Sequence, residues 1–115
     1  GEIVWVDSED MLDRLTAVAG SGPGYVFEML RAYVQAAEDL GFSEKDAKNL
    51  VLGTVRGTLE LALESDLSLE DLRKNVTSKG GTTAAGLDAL NGKEEFSALI
   101  RDTLQAAYER AVELR

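Results

Sequence analysis

The sequence contains no cysteine and no histidine, and it has a single proline among its 115 residues. Without cysteine there is no disulfide framework and no thiolate chemistry, which is compatible with a cytoplasmic location. Without histidine the commonest general base and the commonest metal ligand are missing. A Ser-His-Asp triad therefore cannot form within this chain, and we expect no metal site.

Long hydrophobic runs and an excess of positive charge are missing as well. No apolar stretch approaches the length of a membrane span, and none resembles a signal peptide, so we expect no membrane partner. The net charge of −9 makes nucleic acid a poor partner, because its phosphates would be repelled. Hydrophobic residues make up 44% of the chain, which is enough for a packed core, and the length suits one domain spanning residues 1–115.

The hydrophobic pattern has a helical period and shows no convincing strand pair, so the expected fold class is all-α. Residues 2–6 are short, apolar and β-prone, and we interpret them as an extended lead-in at the end of a longer chain. Serine caps, terminal glycines and Pro23 mark the helix boundaries. The first predicted helix starts at Ser8 and ends at the junction of residues 20–24. The other five run over about Pro23–Leu40, Ser43–Glu64, Ser68–Asn75, Thr82–Leu90 and Glu94–Leu114.

The long helices have broader apolar faces than a chain of this size can cover by itself. Gly53 and Gly57 lie four residues apart on one face of the third helix, where each costs about 1 kcal/mol relative to alanine. This spacing suggests a close helix–helix crossing, although it could also arise by chance. Because large uncovered apolar patches usually become interfaces, the pattern predicts an interlocked helical homodimer.

The stretch from Ser78 to Thr83 places two adjacent glycines between hydroxyl side chains, immediately before a predicted helix. Gly80 and Gly81 let backbone N–H groups approach a ligand closely, and the start of a helix adds unpaired donors and partial positive charge. Together with the hydroxyls of Ser78, Thr82 and Thr83, these groups suit a small anion such as a carboxylate. The alternative is that the glycines simply form an ordinary loop and that Thr82 caps the helix.

A second glycine-rich stretch, residues 20–24, has no strand before it, and Pro23 would remove one of the N–H donors that a dinucleotide loop needs. We therefore interpret it as a helix junction. No strand-bounded dinucleotide motif is present elsewhere in the sequence, so we expect no nicotinamide-binding Rossmann domain within this chain.

Two segments carry a resemblance to a known family. TSKGGTTAAGLDAL at residues 77–90 and DRLTAVAGSGPGYVF at residues 13–27 resemble the two landmark stretches of pyrroline-5-carboxylate reductases. The similarity extends from about Val6 to Leu114 and concerns only the C-terminal helical domain of that family. It implies the fold of a helical bundle like the C-terminal domain of 6-phosphogluconate dehydrogenase, interlocked as a homodimer, with assembly beyond the dimer left open.

The resemblance also implies an activity, which is the reduction of Δ1-pyrroline-5-carboxylate to L-proline with NADPH or NADH. In that family the loop matching Ser78, Gly80, Gly81, Thr82 and Thr83 binds the substrate carboxylate, and the threonine matching Thr83 is the catalytic contact to the ring nitrogen. Asn75 matches an asparagine near the nicotinamide ribose. Because the cofactor is held mainly by the missing N-terminal domain, this chain alone is expected to be inactive.

Lys79 departs from the family pattern, which most often has proline before the two glycines. Two alternatives stay open beside a reductase domain. The chain could be a non-catalytic helical dimerisation module, which would form a dimer without affinity for proline. It could also be the helical domain of a related hydroxyacid dehydrogenase, for which Lys45 and Lys48 are the only matching feature.

Overall fold

The computed structural model describes residues 3–115, which fold into α-helices with no β-strand in that range. The predicted all-α class is confirmed. Glu2, part of the predicted lead-in, lies outside the described residues, and Ile3–Asp7 belong to no helix or strand. The elements are α1 (Glu9–Leu15), a π-helical segment (Thr16–Gly20), α2 (Gly22–Asp39), α3 (Glu44–Glu64), α4 (Leu69–Asn75), α5 (Thr82–Asn91) and α6 (Glu95–Glu113).

Three helices begin at the serines that the sequence marks as caps. Ser8, Ser43 and Ser68 each have an extended backbone and accept a hydrogen bond from the N–H three residues on, at 3.0–3.1 Å. Acidic residues follow in each first turn, where they favour the positive end of the helix dipole. Each cap stabilises its helix by about 1 kcal/mol.

The first predicted helix is not uniform, because Thr16–Gly20 widens into a π-helical turn. The N–H of Ser21 donates to the carbonyl of Thr16 at 2.8 Å, and the Thr16 hydroxyl donates back to the carbonyl of Leu12 at 3.0 Å. Such turns shift the following chain relative to the preceding helix. Here the change of helix type comes just before the next helix starts, and Pro23 takes the second position of α2 instead of the predicted first.

The connection from α2 to α3 uses the predicted glycine. Gly41 has φ +106°, a conformation that glycine adopts without a Cβ penalty, and its N–H donates to the carbonyl of Glu38 at 2.8 Å. The chain then enters the Ser43 cap of α3. The helix boundaries on both sides agree with the sequence prediction to within one residue.

Contacts within the chain divide it into two compact units, and each has its own packing. Unit 1 comprises the described residues up to Val26 together with Lys93–Arg115. In it, α1 and the π-helical segment pack against α6 and bury Ala17 to 2% exposure. The expectation of a single domain over residues 1–115 stays a prediction.

Unit 1 also has a polar cluster that joins α1 to α6. The Tyr108 hydroxyl donates to the carboxylate of Asp10, and Arg115 donates from Nε to Asp13 Oδ2 at 2.6 Å. Arg14 pairs with Asp10 at 2.8 Å, and its guanidinium lies 5.6 Å from the centroid of the Tyr108 ring. The pKa of Asp10 is lowered, first by the Tyr108 hydrogen bond and then by the nearby arginines, although the burial of the group opposes this.

Unit 2 comprises Phe27–Gly92 and has little interior of its own. Only Ala47 and Val51 are buried in it, at 0% and 2% exposure. Large apolar side chains on its helices are open to solvent, and a Cβ added at Gly53 or Gly57 would meet nothing within 4 Å. Among the residues inside these helices, the most exposed are Phe27 (72%), Leu61 (64%), Leu63 (76%) and Leu69 (75%). The predicted excess of apolar surface is therefore confirmed for one chain.

Across residues 3–115, no helix combines the length and the hydropathy that a membrane span would need.

Candidate anion-binding loop before α5

The segment after α4 is held by hydrogen bonds back to that helix. The Thr77 hydroxyl donates to the carbonyl of Arg73 at 2.6 Å, and the Thr77 N–H donates to the carbonyl of Lys74 at 3.1 Å. Val76 is the C-cap of α4, and its N–H donates to the carbonyls of Arg73 and Lys74. The loop that follows therefore begins from a fixed position.

Ser78 to Gly81 form a tight turn, in which Ser78, Lys79 and Gly80 are exposed to solvent. The N–H of Gly81 donates to the carbonyl of Ser78 at 3.1 Å, and Gly80 has φ +72°. Lys79 has a negative φ, since Glu94 is the sole non-glycine residue with positive φ in the described range. A negative φ followed by a positive φ is the signature of a type II turn, which requires glycine or asparagine at its third position.

Gly81 differs from Gly80 in its backbone conformation and in its surroundings. Its backbone is extended, with φ −87° and ψ −177°, which any residue can adopt. An added Cβ, however, would lie 2.6 Å from Ser78 Oγ and 3.3 Å from the Ser78 carbonyl oxygen. Gly81 therefore permits the close return of the chain onto Ser78, and the left-handed conformation is confined to Gly80.

Helix α5 begins without a side-chain cap. Gly81 occupies the N-cap position, its carbonyl accepts from the N–H of Ala85 at 3.1 Å, and no side chain bonds to the first-turn N–H groups. Thr82 and Thr83 are the first two helical residues, so the alternative that Thr82 caps α5 is wrong. Because the N-cap residue is a glycine, it has no side chain to accept hydrogen bonds from the N–H groups of the first turn.

The hydroxyls of Ser78, Thr82 and Thr83 have no hydrogen-bond partner among residues 3–115, and all three residues are exposed. The structure thus brings the predicted residues together in one six-residue segment of unit 2: Ser78, Gly80, Gly81, Thr82 and Thr83. Hydroxyls and backbone donors at the start of a ten-residue helix suit a carboxylate.

Asn75 is the last residue of α4, and its side chain is exposed. Within residues 3–115 its amide makes no hydrogen bond, so it can bind a ligand hydroxyl, but no contact joins it to the hydroxyls of the loop. Its predicted place beside a nicotinamide ribose stays a prediction. Residues 20–24 form the junction between the π-helical segment and α2, as predicted, and the described chain contains no strand on which a dinucleotide fold could be built.

The chemistry of this loop depends on hydrogen-bond donors, because the groups with shifted pKa values lie elsewhere. The Asp10–Tyr108 pair lies in unit 1, and the Glu28–Arg31 pair lies on an exposed face of α2. No cluster of acidic side chains that could hold a metal ion occurs in the part of the chain that the structure describes. Binding and orientation of an anion are what this arrangement can provide.

The fold and the loop define a class of protein, namely an all-helical domain with uncovered apolar faces and a candidate small-anion loop. The sequence model described as pyrroline-5-carboxylate reductase dimerisation matches residues 9–114. The chain therefore belongs to the family of pyrroline-5-carboxylate reductase dimerisation domains. This membership decides against the helical domain of a hydroxyacid dehydrogenase.

Individual relatives show the extent of the similarity. The pyrroline-5-carboxylate reductase of Staphylococcus haemolyticus is 44% identical over 114 residues, which cover 99% of this chain and 41% of that protein. The solved structure of a Coxiella burnetii pyrroline-5-carboxylate reductase matches with a TM-score of 0.92 and 40% identity, over 99% of this chain and 42% of that one. The Plasmodium falciparum pyrroline carboxylate reductase, solved with NADP bound, matches with a TM-score of 0.87 and 35% identity, over 95% and 41%. The chain thus spans about two-fifths of the length of these relatives.

Proposed function

We propose that this chain is the part of a pyrroline-5-carboxylate reductase that binds the substrate carboxylate and joins two subunits. The whole enzyme would reduce Δ1-pyrroline-5-carboxylate to L-proline. The observation that supports this most directly is the loop Ser78–Thr83, in which three exposed hydroxyls and the first-turn N–H groups of α5 lack partners within the described chain. Membership of the family of pyrroline-5-carboxylate reductase dimerisation domains supports the substrate carboxylate as the anion.

In this proposal the chain acts by positioning its substrate. The N–H groups of Gly80, Thr82 and Thr83, with the Ser78 hydroxyl, would bind the carboxylate and so fix the orientation of the ring. The Gly81 N–H, which the sequence also suggests as a donor, already donates to the Ser78 carbonyl in the turn. The Thr83 hydroxyl would contact the ring nitrogen. NADPH or NADH supplies the hydride that adds to the carbon of the C=N bond, while the protonated nitrogen becomes the amine of proline.

Asn75 would contribute to the cofactor site through a hydrogen bond from its free amide to a ribose hydroxyl. The remaining cofactor contacts require a dinucleotide-binding fold, and residues 3–115 contain no strand to form one. The Plasmodium falciparum relative has NADP bound.

The second part of the proposal is a homodimer formed through the uncovered helix faces. The exposed apolar side chains of α2 and α3 and the open space above Gly53 and Gly57 support it, as does the description of the family as a dimerisation domain. Small residues on a helix allow another helix to approach closely. The interface should resemble a core cut in half, as in obligate dimers.

Binding of L-proline tests the loop directly. When the 15N-labelled chain is titrated with L-proline, the amide signals of Gly80, Gly81, Thr82 and Thr83 should shift. Pyrrolidine is the matched control, because it has the ring and the nitrogen but no carboxylate, and it should leave these signals in place. If L-proline shifts no signal in the loop, the chain is better explained as a dimerisation module without a ligand.

A further inference from the structure

Lys79 occupies a turn position whose backbone does not require a lysine. It is the second residue of the type II turn Ser78–Gly81, its φ is negative, and its own N–H makes no hydrogen bond within residues 3–115. Proline is favoured at this position because its ring fixes φ near the required value. A lysine here gives up that rigidity and adds a positive charge to the exposed loop.

The charge of Lys79 is not neutralised by the surrounding chain. The chain has 21 acidic and 12 basic residues, yet residues 72–87 contain Arg73, Lys74 and Lys79 and no acidic residue. Lys74 is paired with Glu70 at 3.4 Å, whereas Lys79 forms no ion pair in the described part of the chain. A net negative protein therefore presents a local positive charge at this loop.

The distance from Lys79 to the donors of the loop is short enough for this charge to matter. Gly81 is two positions after Lys79, so their Cα atoms are at most about 7.6 Å apart. The Debye length at physiological ionic strength is about 8 Å. Because the lysine side chain is flexible and exposed, its ammonium can come within that distance of an anion bound at the loop, where the attraction is only partly screened. We propose that Lys79 determines substrate affinity by attracting the carboxylate of the substrate to the loop, an inference that rests on the proposed function.

The test uses a full-length reductase that contains this chain and compares single substitutions. Lys79→Met removes the charge and keeps the length of the side chain, and it should raise KM for the imine about 2- to 5-fold with kcat unchanged, the range of an exposed ion pair. Lys79→Arg should keep the wild-type KM. Lys45→Met is the matched control, because it removes the same charge from the first turn of α3.

Ionic strength gives a second readout that a purely structural role would not change. KM of the wild-type enzyme should rise with added salt, and that dependence should be weaker in Lys79→Met. If the wild type is active and Lys79→Met has the same KM and the same salt dependence, this inference is wrong while the proposed function stands. The same conclusion follows if Lys45→Met raises KM as much as Lys79→Met does. A wild type that does not reduce the imine would overturn the proposed function and this inference with it.

Discussion

At the scale of single residues, Thr83 allows a functional role to be separated from a structural one. It is the second residue of α5, it is exposed, and its hydroxyl has no partner within residues 3–115. In a full-length reductase, Thr83→Ala should lower kcat/KM about 10- to 150-fold, since a lost hydrogen bond to a charged group costs about 1.5–3 kcal/mol.

The same substitution should leave the melting temperature nearly unchanged, because Thr83 neither caps α5 nor fills a core. Measuring Tm together with kcat/KM on Thr83→Ala distinguishes the two roles. A drop of several degrees with normal kinetics would show that Thr83 stabilises the helix and does not contact the substrate.

Lys79 permits a prediction about stability that is independent of catalysis. Lys79→Pro fits the turn, because φ is negative there and the N–H is unbonded within the described chain. It should raise the free energy of unfolding by about 0.4–1 kcal/mol by restricting the unfolded chain. Urea unfolding is the measurement and Lys79→Ala the control, since it removes the charge without adding a ring. A lower urea midpoint for proline than for alanine would contradict the assigned turn.

The loop also shows what the sequence could and could not predict about the site. The position of the five proposed binding residues in one loop before a helix could be predicted, because glycines and hydroxyls have local chemical consequences. The separate roles of the glycines could not. In sequence, either glycine could adopt the left-handed conformation. The structure assigns positive φ to Gly80 and a close approach to Ser78 to Gly81.

At the scale of elements, helix starts were predictable where a serine is followed by acidic residues, as at Ser8, Ser43 and Ser68. The π-helical turn was not, because Thr16–Gly20 contains no residue that marks a change of helix type. The packing of this segment on α6 brings together two parts of the chain that are far apart in sequence, Thr16–Gly20 and Glu95–Glu113. Such a fit is a tertiary property, which local sequence patterns do not report.

The cluster between α1 and α6 should make stability depend on pH. Tyr108 donates to Asp10, which lowers the pKa of that carboxyl below its ordinary value of about 3.9. A lowered pKa in the folded state contributes stability above the ordinary value, and this contribution is lost as pH falls through the folded-state pKa. Tyr108→Phe should therefore lower Tm at pH 7, and its difference from wild type should narrow below about pH 4.

Thermal unfolding of Tyr108→Phe between pH 3 and pH 7 is the measurement. Tyr33→Phe is the matched control, because Tyr33 is 49% exposed and its hydroxyl has no hydrogen bond within residues 3–115. A Tyr108→Phe deficit that stays constant across this pH range would show that the hydrogen bond to Asp10 does not couple to its ionisation.

At the scale of the whole molecule, the shortage of buried side chains requires a second surface. Among residues 3–115 only Ala17, Ala47 and Val51 are buried, and none is large. The energy of apolar burial is roughly proportional to the area removed from water, so three small side chains cannot stabilise six helices alone. The exposed apolar faces of the helices would supply the missing stabilisation once they are buried. A second molecule is needed to bury them.

Sedimentation equilibrium at micromolar concentration should therefore give twice the 12.4 kDa chain mass. Gly57→Leu tests whether α3 lies in the interface, because it should stabilise the protein if position 57 faces solvent and destabilise the dimer if it faces a partner helix. In one chain the site is open, so leucine should stabilise an exposed helix by about 1 kcal/mol. Against a partner helix the same side chain would prevent close approach, and the dimer dissociation constant should rise. We expect the second result, and a Gly57→Leu protein that is more stable and equally dimeric would place the interface on another face.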